Sequence, residues 1–445
     1  RNRIPAEYED MGPQEVKNVA EPIQAYAVKY ENMAELGKDS GEAKPAEKPS
    51  IAVLPFNNMS NDPDQEYFSD GITEDIITAL SHLRWLNVIA RNSSFSYKGQ
   101  SPDIRKVSEE LNCRYVLEGS IQKAGKRIRI NVQLLEGATG AHIWAEKYDR
   151  ELEDIFDLQD EITRSVLGAI EPNIRSAEIA RAQRKHPTNL DAYDLHLRAL
   201  PGMYAFNPES NRESLDLFHQ AIDLEPTYAE ALAYSSWAYE QRFTRAWDQY
   251  SENDIAAGAA LANRAIETNS DDPIVLVLSG FVLIMSQADV QLGLLTVKRA
   301  LENNPNIGFV SNLGGTSLLF VEGNNTEAIK NLEASLSISP RDPVAFATYN
   351  NLGLAYLEAG EAQKAEQYCQ KSVESFPSWD TSLQSLITVL INNEKIEEAG
   401  EALKRLLSVD KTASVTKFQK NFRISNQSLM EKMVESLRKV GLPEN

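Results

Sequence analysis

The stretch that decides the fold is Pro343–Pro377, PVAFATYNNLGLAYLEAGEAQKAEQYCQKSVESFP. Gly353 and Tyr356 follow Leu352 at spacings that put all three on one face of a helix. Ala359-Gly360 ends that helix, because glycine suits the left-handed residue just past a helix end. Ala365, Cys369 and Ser372 mark a second helix, small enough on one side for the first to lie close. Pro377 closes the unit. A helix pair of this size cannot bury its apolar face alone, so its neighbours must be more of the same.

The chain bears this out from His186 onward. The small-x3-apolar-x2-small signature of the second helix recurs at Ser214/Phe218/Ala221, Gly258/Ala262/Ala265, Gly293/Val297/Ala300 and Ala328/Leu332/Ser335. A degenerate copy follows at Ala399/Leu403/Leu406, which makes about six units over 186–411. The unit resembles a tetratricopeptide repeat, a helix pair of ~34 residues. The resemblance implies an all-α solenoid whose first helices line a concave groove for a protein or peptide segment. Asn350, Asn351 and Tyr356 are its candidate contacts. Clamping of a peptide carboxylate is doubtful here, since Leu354 holds the next groove position and the lysines of that clamp are missing. Residues 412–445 lack the signature; Leu429, Met433 and Leu437 give them the pattern of a capping helix.

Upstream the periodicity changes. Residues 50–150 read as an α/β unit. Ser50–Phe56 is an apolar strand ended by Pro55, and Asp62-Pro63-Asp64 is a turn. A helix is expected from about Ser69 to Leu83, capped by Asp70 or Thr73. Leu86–Arg91 is a second strand and Asp103–Leu111 a second helix. Strands at Tyr115–Gln122, Arg127–Glu136 and His142–Tyr148 follow, punctuated by Gly125-Lys126 and Thr139-Gly140. Ile128, Ile130, Val132 and Leu134 alternate with polar residues, so one face of that strand is buried and the other wet. Residues 151–185 form a connecting helix with Leu158, Ile162, Val166 and Ile170 near heptad spacing. Pro172 should kink or break it, and a dimerising coiled coil is an open alternative.

SIAVLPFNNMSNDPDQEYFSDGITEDI (50–76), VIARNSSFSYKG (88–99) and the run from Tyr115 to Ile170 resemble a bacterial sensory-type module related to the amino-terminal domain of TolB and to FlgO-like domains. In bacteria such a module sits between a cyclase, kinase or winged-helix effector domain and a tetratricopeptide array. Residues 1–30, with G-x3-VKN-x3-P-x3-Y-x-V, resemble the last strands of class III adenylyl or guanylyl cyclase catalytic domains. Strands are expected at Glu7–Gly12 and Ile23–Val28, with a short piece at Val16–Val19. The catalytic residues of that family lie upstream of this tail, and none can be placed here. The chain starts at Arg1 without Met, so a fragment or processed product is expected. The resemblance implies the regulatory part of a cyclase-type signalling protein, inactive alone, and a homodimer, since class III cyclases act as dimers. The alternative is a stand-alone adaptor or small-molecule sensor unrelated to cyclic nucleotides. Residues 31–49, charged and poor in large apolar side chains, read as a linker.

Composition narrows the partners. A net charge of −20 over 445 residues disfavours nucleic acid and anionic membranes. The two cysteines, Cys113 and Cys369, fall in different segments, which fits a reducing, cytoplasmic compartment. The apolar run Ile274–Met285 is too short for a membrane span. The five histidines show no metal-ligand spacing, and no Walker A, G-x-S-x-G or H-E-x-x-H occurs, so no cofactor is expected. Asp70, Glu74 and Asp75 cluster at a helix start. Capping is their plainer role and a metal or phosphate site the sharper one. Arg91-Asn92 follows a strand end, where open α/β sheets bind ligands. Lys123, Lys126, Arg127 and Arg129 form a small basic face. Trp144 and Trp237 are read as packing residues.

Overall fold

The computed structural model describes residues 7–14, 23–29, 48–60, 66–125, 127–151, 155–185, 190–245, 247, 251–339 and 342–445. The linker reading over 31–47, the Val16–Val19 piece, the Asp62–Asp64 turn and Lys126 lie outside them. The chain divides into two compact units, 1–47 and 48–445. In the first, β1 (Glu7–Gln14) and β2 (Ile23–Lys29) pair antiparallel, with an irregularity between Asp10 and Gly12.

The second unit begins with a sheet. Its strands are β3 (Ser50–Val53), β4 (Asn57–Asn58), β5 (Asn87–Val88), β6 (Tyr115–Ala124), β7 (Arg127–Glu136) and β8 (His142–Glu151). The order is β5-β3-β6-β7-β8, with β4 beside β6. β3 runs parallel to β5 and β6, whereas β6, β7 and β8 form an antiparallel meander. Ile51, Ala52 and Val53 are fully buried, as a central strand between two covered faces requires. On one face Ala52, Leu54 and Val116 meet Val107 of helix α3 (Ile104–Leu111) and Cys113. In β7, Ile128, Ile130, Val132 and Leu134 are buried and the intervening residues face outward.

Two expectations are corrected. Helix α1 runs Glu66–Ser81, so it is already a turn old at Asp70, and neither Asp70 nor Thr73 caps it. Thr73 is buried instead: its hydroxyl donates to Ser69 O at 2.8 Å and accepts the Phe56 amide at 3.1 Å, tying the end of β3 to α1. A short helix, α2 (Arg91–Phe95), takes up the end of the expected second strand.

Helix α4 (Ile155–Arg184) carries Pro172 without a break. Proline removes the amide that would bond Gly168 O. Gly168 is also where α4 crosses the end of α12 (Asn325–Ile338), and a Cβ there would stand 2.3 Å from Ile338 O. Leu158, Ile162, Val166 and Ile170 are buried inside this chain, so that stripe serves the chain's own core and is not free for a coiled coil.

Among the described residues, α5 to α16 form six helical hairpins: α5 (Ala192–Tyr204) with α6 (Pro208–Leu224), α7 (Ala229–Thr244) with α8 (Glu252–Glu267), and α9 (Pro273–Ser286) with α10 (Val290–Asn303), then α11 (Gly308–Glu322) with α12, α13 (Ala345–Glu358) with α14 (Ala362–Ser375), and α15 (Asp380–Asn392) with α16 (Ile396–Val409). The small positions of the second helices, Ala221, Ala265, Ala300, Ser335 and Ser372, are buried to 1% exposure or less, which is what lets the helices approach. Gly353 shows how tight the fit is: a Cβ there would sit 2.3 Å from Cys369 Sγ.

After α16 come α17 (Val415–Asn421) and α18 (Gln427–Val440). Leu429, Met433 and Leu437 of α18 are fully buried, and Asn392 of α15 bonds Ser436 at 3.1 Å. This segment also reaches back across the array. The amides of Ser425 and Asn426 donate to Phe320 O at 2.9 and 2.8 Å, and Asn426 Nδ2 donates to Leu319 O at 3.0 Å.

Candidate functional site

The first helices of the hairpins share an inner face because their apolar residues recur every three or four positions. On α7, Trp237, Glu240 and Thr244 point there, joined by Phe281 of α9, Phe309 and Asn312 of α11, and Asn350 of α13. Together they line a cavity of about 100 Å³. Its walls are aromatic: the Trp237 ring lies 5.4 Å from Phe309 and 6.3 Å from Phe206. Phe206, just after the first hairpin's α5, meets Phe346 of the fifth hairpin at 5.2 Å, so the superhelix closes on itself there. Phe206 adopts φ 49°, a left-handed backbone costly for a bulky residue. From the other side Phe422 stands 5.2 Å from Phe320.

The floor is a polar ladder. Asn350 Nδ2 donates to Asn351 Oδ1 at 3.1 Å, Asn351 Nδ2 to Thr316 Oγ1 at 2.8 Å, and Thr316 Oγ1 to Asn312 O at 2.8 Å. Asn350 Oδ1 is buried without a hydrogen-bond partner. Two opposite charges line the same cavity. Glu240 is 3% exposed, and burial raises its carboxyl above the ordinary range. Arg245 lies over the Phe206 ring at 4.9 Å and donates to Thr244 Oγ1 at 3.3 Å; burial lowers its guanidinium, against the charges of Glu240 and Asp380. Among the described residues no carboxylate comes within ion-pair distance of Arg245.

Asn350 and Asn351 both line this cavity. Tyr356 does not. Six residues on, it faces away, donating to Glu333 of α12 and stacking on Tyr368 of α14 at 5.6 Å. In the sheet module, Arg91 pairs with Glu74, and Lys98 bridges Asp70 at 2.6 Å and Glu66 at 3.1 Å. These charges clasp α1 to the α2 region at the surface, and Asn92 is exposed on α2. Arg129 is paired with Asp149 at 2.7 Å. Among the described residues no group of three His, Cys, Asp or Glu side chains is placed to hold a metal, and no helix is long and apolar enough to cross a membrane. The sequence reading missed Trp237 as a site residue, and Arg245, Glu240 and Phe422 altogether. The legible signal was the 237–240–244 spacing on one first-helix face.

A family model described as tetratricopeptide repeat matches residues 316–378, and one described as HilA/YgeH-like transcriptional regulator, second domain, matches residues 46–165. The chain is 43% identical over 274 residues to putative adenylate cyclase 3 of Rhizobium meliloti (strain 1021), covering 61% of this chain and 47% of that protein. The chain thus spans about half the length of the curated relative it matches. Among solved structures it is similar to the APC/C hetero-tetramer Cut9-Hcn1 (12% identity, TM-score 0.42, covering 63% of this chain and 49% of that one). It is also similar to TolB from Acinetobacter baumannii (19%, TM-score 0.23, 29% of each). The fold is a small sheet-and-helix module followed by a solenoid of tetratricopeptide repeats, an architecture suited to binding other proteins.

Proposed function

We propose that this chain is the regulatory and scaffolding region of a bacterial adenylate/guanylate cyclase-type signalling protein. The repeats hold a segment of a protein partner on their concave face, the sheet module passes the bound state to the effector domain, and no catalysis occurs in this chain. The observation that carries the reading is the 43% identity over 274 residues to a protein called putative adenylate cyclase 3. The β1–β2 hairpin fits the last strands of a class III catalytic domain, whose chemistry is two-metal cyclisation of a nucleoside triphosphate and whose dimeric state this chain would share. The TolB-like character of the module and a cytoplasmic setting belong to the same proposal.

A second reading rests on the family match over residues 46–165, which is named for a transcriptional regulator. There the same module and repeats would serve a different effector. The codons upstream of Arg1 separate the two. An in-frame class III domain with its two metal-binding aspartates supports the cyclase reading; a DNA-binding domain, or no upstream domain, rejects it.

A further inference from the structure

We propose that the cavity between Arg245 and Glu240 binds a free α-amino acid with an apolar side chain, its carboxylate on Arg245 and its ammonium on Glu240. The inference goes beyond the binding of a protein segment and does not depend on it.

The first ground is charge. Arg245 and Glu240 sit at the end of the same helix and line the same cavity, beyond ion-pair distance of each other. Glu240 is buried and Arg245 half-buried. Each feels the other's charge across the cavity, and Thr244 bonds the Glu240 carboxyl, yet burial still outweighs these contacts at both groups. Opposite charges taken from water are costly unless each is closely paired. Burial pushes the Glu240 carboxyl up and the Arg245 guanidinium down. A zwitterion that meets both opposes both shifts, since an opposite charge favours the ionised form. A simple anion or a simple cation would leave one of the two unmet.

The second ground is hydrogen bonding. A guanidinium presents a planar fork that suits a carboxylate. The buried Asn350 Oδ1 is an acceptor without a partner on the cavity floor. An ammonium has three donors, enough for Glu240 and for Asn350.

The third ground is shape. Trp237, Phe281, Phe309 and Leu313 form an apolar wall. A dry cavity of ~150 Å³ takes a benzene-sized molecule, so the roughly 100 Å³ here suits a small aliphatic side chain. Phe206 and Phe422 border the space from the first hairpin and from the C-terminal segment, so an occupant touches elements distant in sequence.

The test uses the whole purified chain. Its melting temperature is measured with each of the twenty free L-amino acids, and affinities of those that act are measured by titration calorimetry. Apolar members should raise the melting temperature in step with concentration, as binding to the native state requires. Their N-acetyl and amide derivatives, which each lack one charge, should bind much more weakly. Arg245→Gln and Glu240→Gln should each weaken binding about ten- to a hundredfold, the loss of one charge-assisted contact. Arg245→Lys, which keeps the cation without the fork, should fall between, and guards against a variant that merely misfolds. The proposal is overturned if no free amino acid shifts the melting temperature. It is equally overturned if N-acetyl derivatives bind as well as the free acids, which would assign the cavity to a peptide carboxyl terminus, or if both glutamine variants bind like the original.

Discussion

Arg114 Nη1, at the head of β6, lies 2.7 Å from each carboxylate oxygen of Glu178 in α4. Glu178 is fully buried and also accepts from Tyr115 at 2.6 Å and from Arg181 at 3.1 Å. Arg181 in turn approaches Asp194 of α5 at 3.6 Å. One carboxylate therefore joins the sheet, the connecting helix and the first hairpin.

Removing that carboxylate leaves the Arg114 guanidinium without its carboxylate and Arg181 with only Asp194. Breaking a buried pair costs about 3–5 kcal/mol, and Glu178→Ala should fall at the low end because Arg114 keeps some access to water. Denaturant unfolding followed by tryptophan fluorescence checks it. A cost near the ~0–1 kcal/mol of a surface pair would show that the sheet module is not held to α4 in this way.

Close approach of the paired helices makes opposite predictions at two glycines. At Gly353 an added Cβ meets Cys369 Sγ at 2.3 Å and Ala365 O at 3.0 Å, so Gly353→Ala should destabilise by about 1–3 kcal/mol through overpacking. At Gly400, inside α16, nothing lies within 4 Å of that position, and Gly400→Ala should stabilise by roughly 0.5–1 kcal/mol. Thermal melts of the two variants should move in opposite directions.

Asp342 precedes α13 and accepts the Val344 amide at 2.9 Å. Burial, reinforced by the nearby Glu171 charge, raises its carboxyl to about 6. Its folded value thus exceeds its unfolded one, so the protonated form favours the native state. That contribution is full at low pH and is lost as pH climbs from about 4 through about 6. Asp342→Asn keeps an oxygen for Val344 and removes the ionisation. It should stabilise the chain at pH 7 by roughly 1–3 kcal/mol and change little below pH 4, as read from denaturant midpoints at the two pH values.

Local periodicity carried most of the fold. The alternation from Ile128 to Leu134 and the small positions of the second helices were readable because they express contacts between neighbours in sequence. The start of α1 was not. Asp70 looked like a cap, but Glu66, Tyr67 and Phe68 already continue the helix upstream of it. Pro172 is carried without a break beside Gly168, which sits against Ile338, a contact 170 residues of spacing cannot announce. Of the cavity's lining, the sequence reading reached Asn350 and Asn351. Its closure depends on Phe206 meeting Phe346, which follows from the winding of the whole superhelix and from no single repeat. Tyr356 lies outside the cavity because six residues carry it well round the helix from Asn350.

The measurement that bears most directly on the central claim is cyclic nucleotide formation from ATP and GTP, with divalent metal present, by this chain alone and by the same chain carrying the sequence its gene encodes upstream. This chain alone should form none, and the extended protein should form it. Cyclic nucleotide made by this chain alone, or an extended protein that makes none, would contradict it.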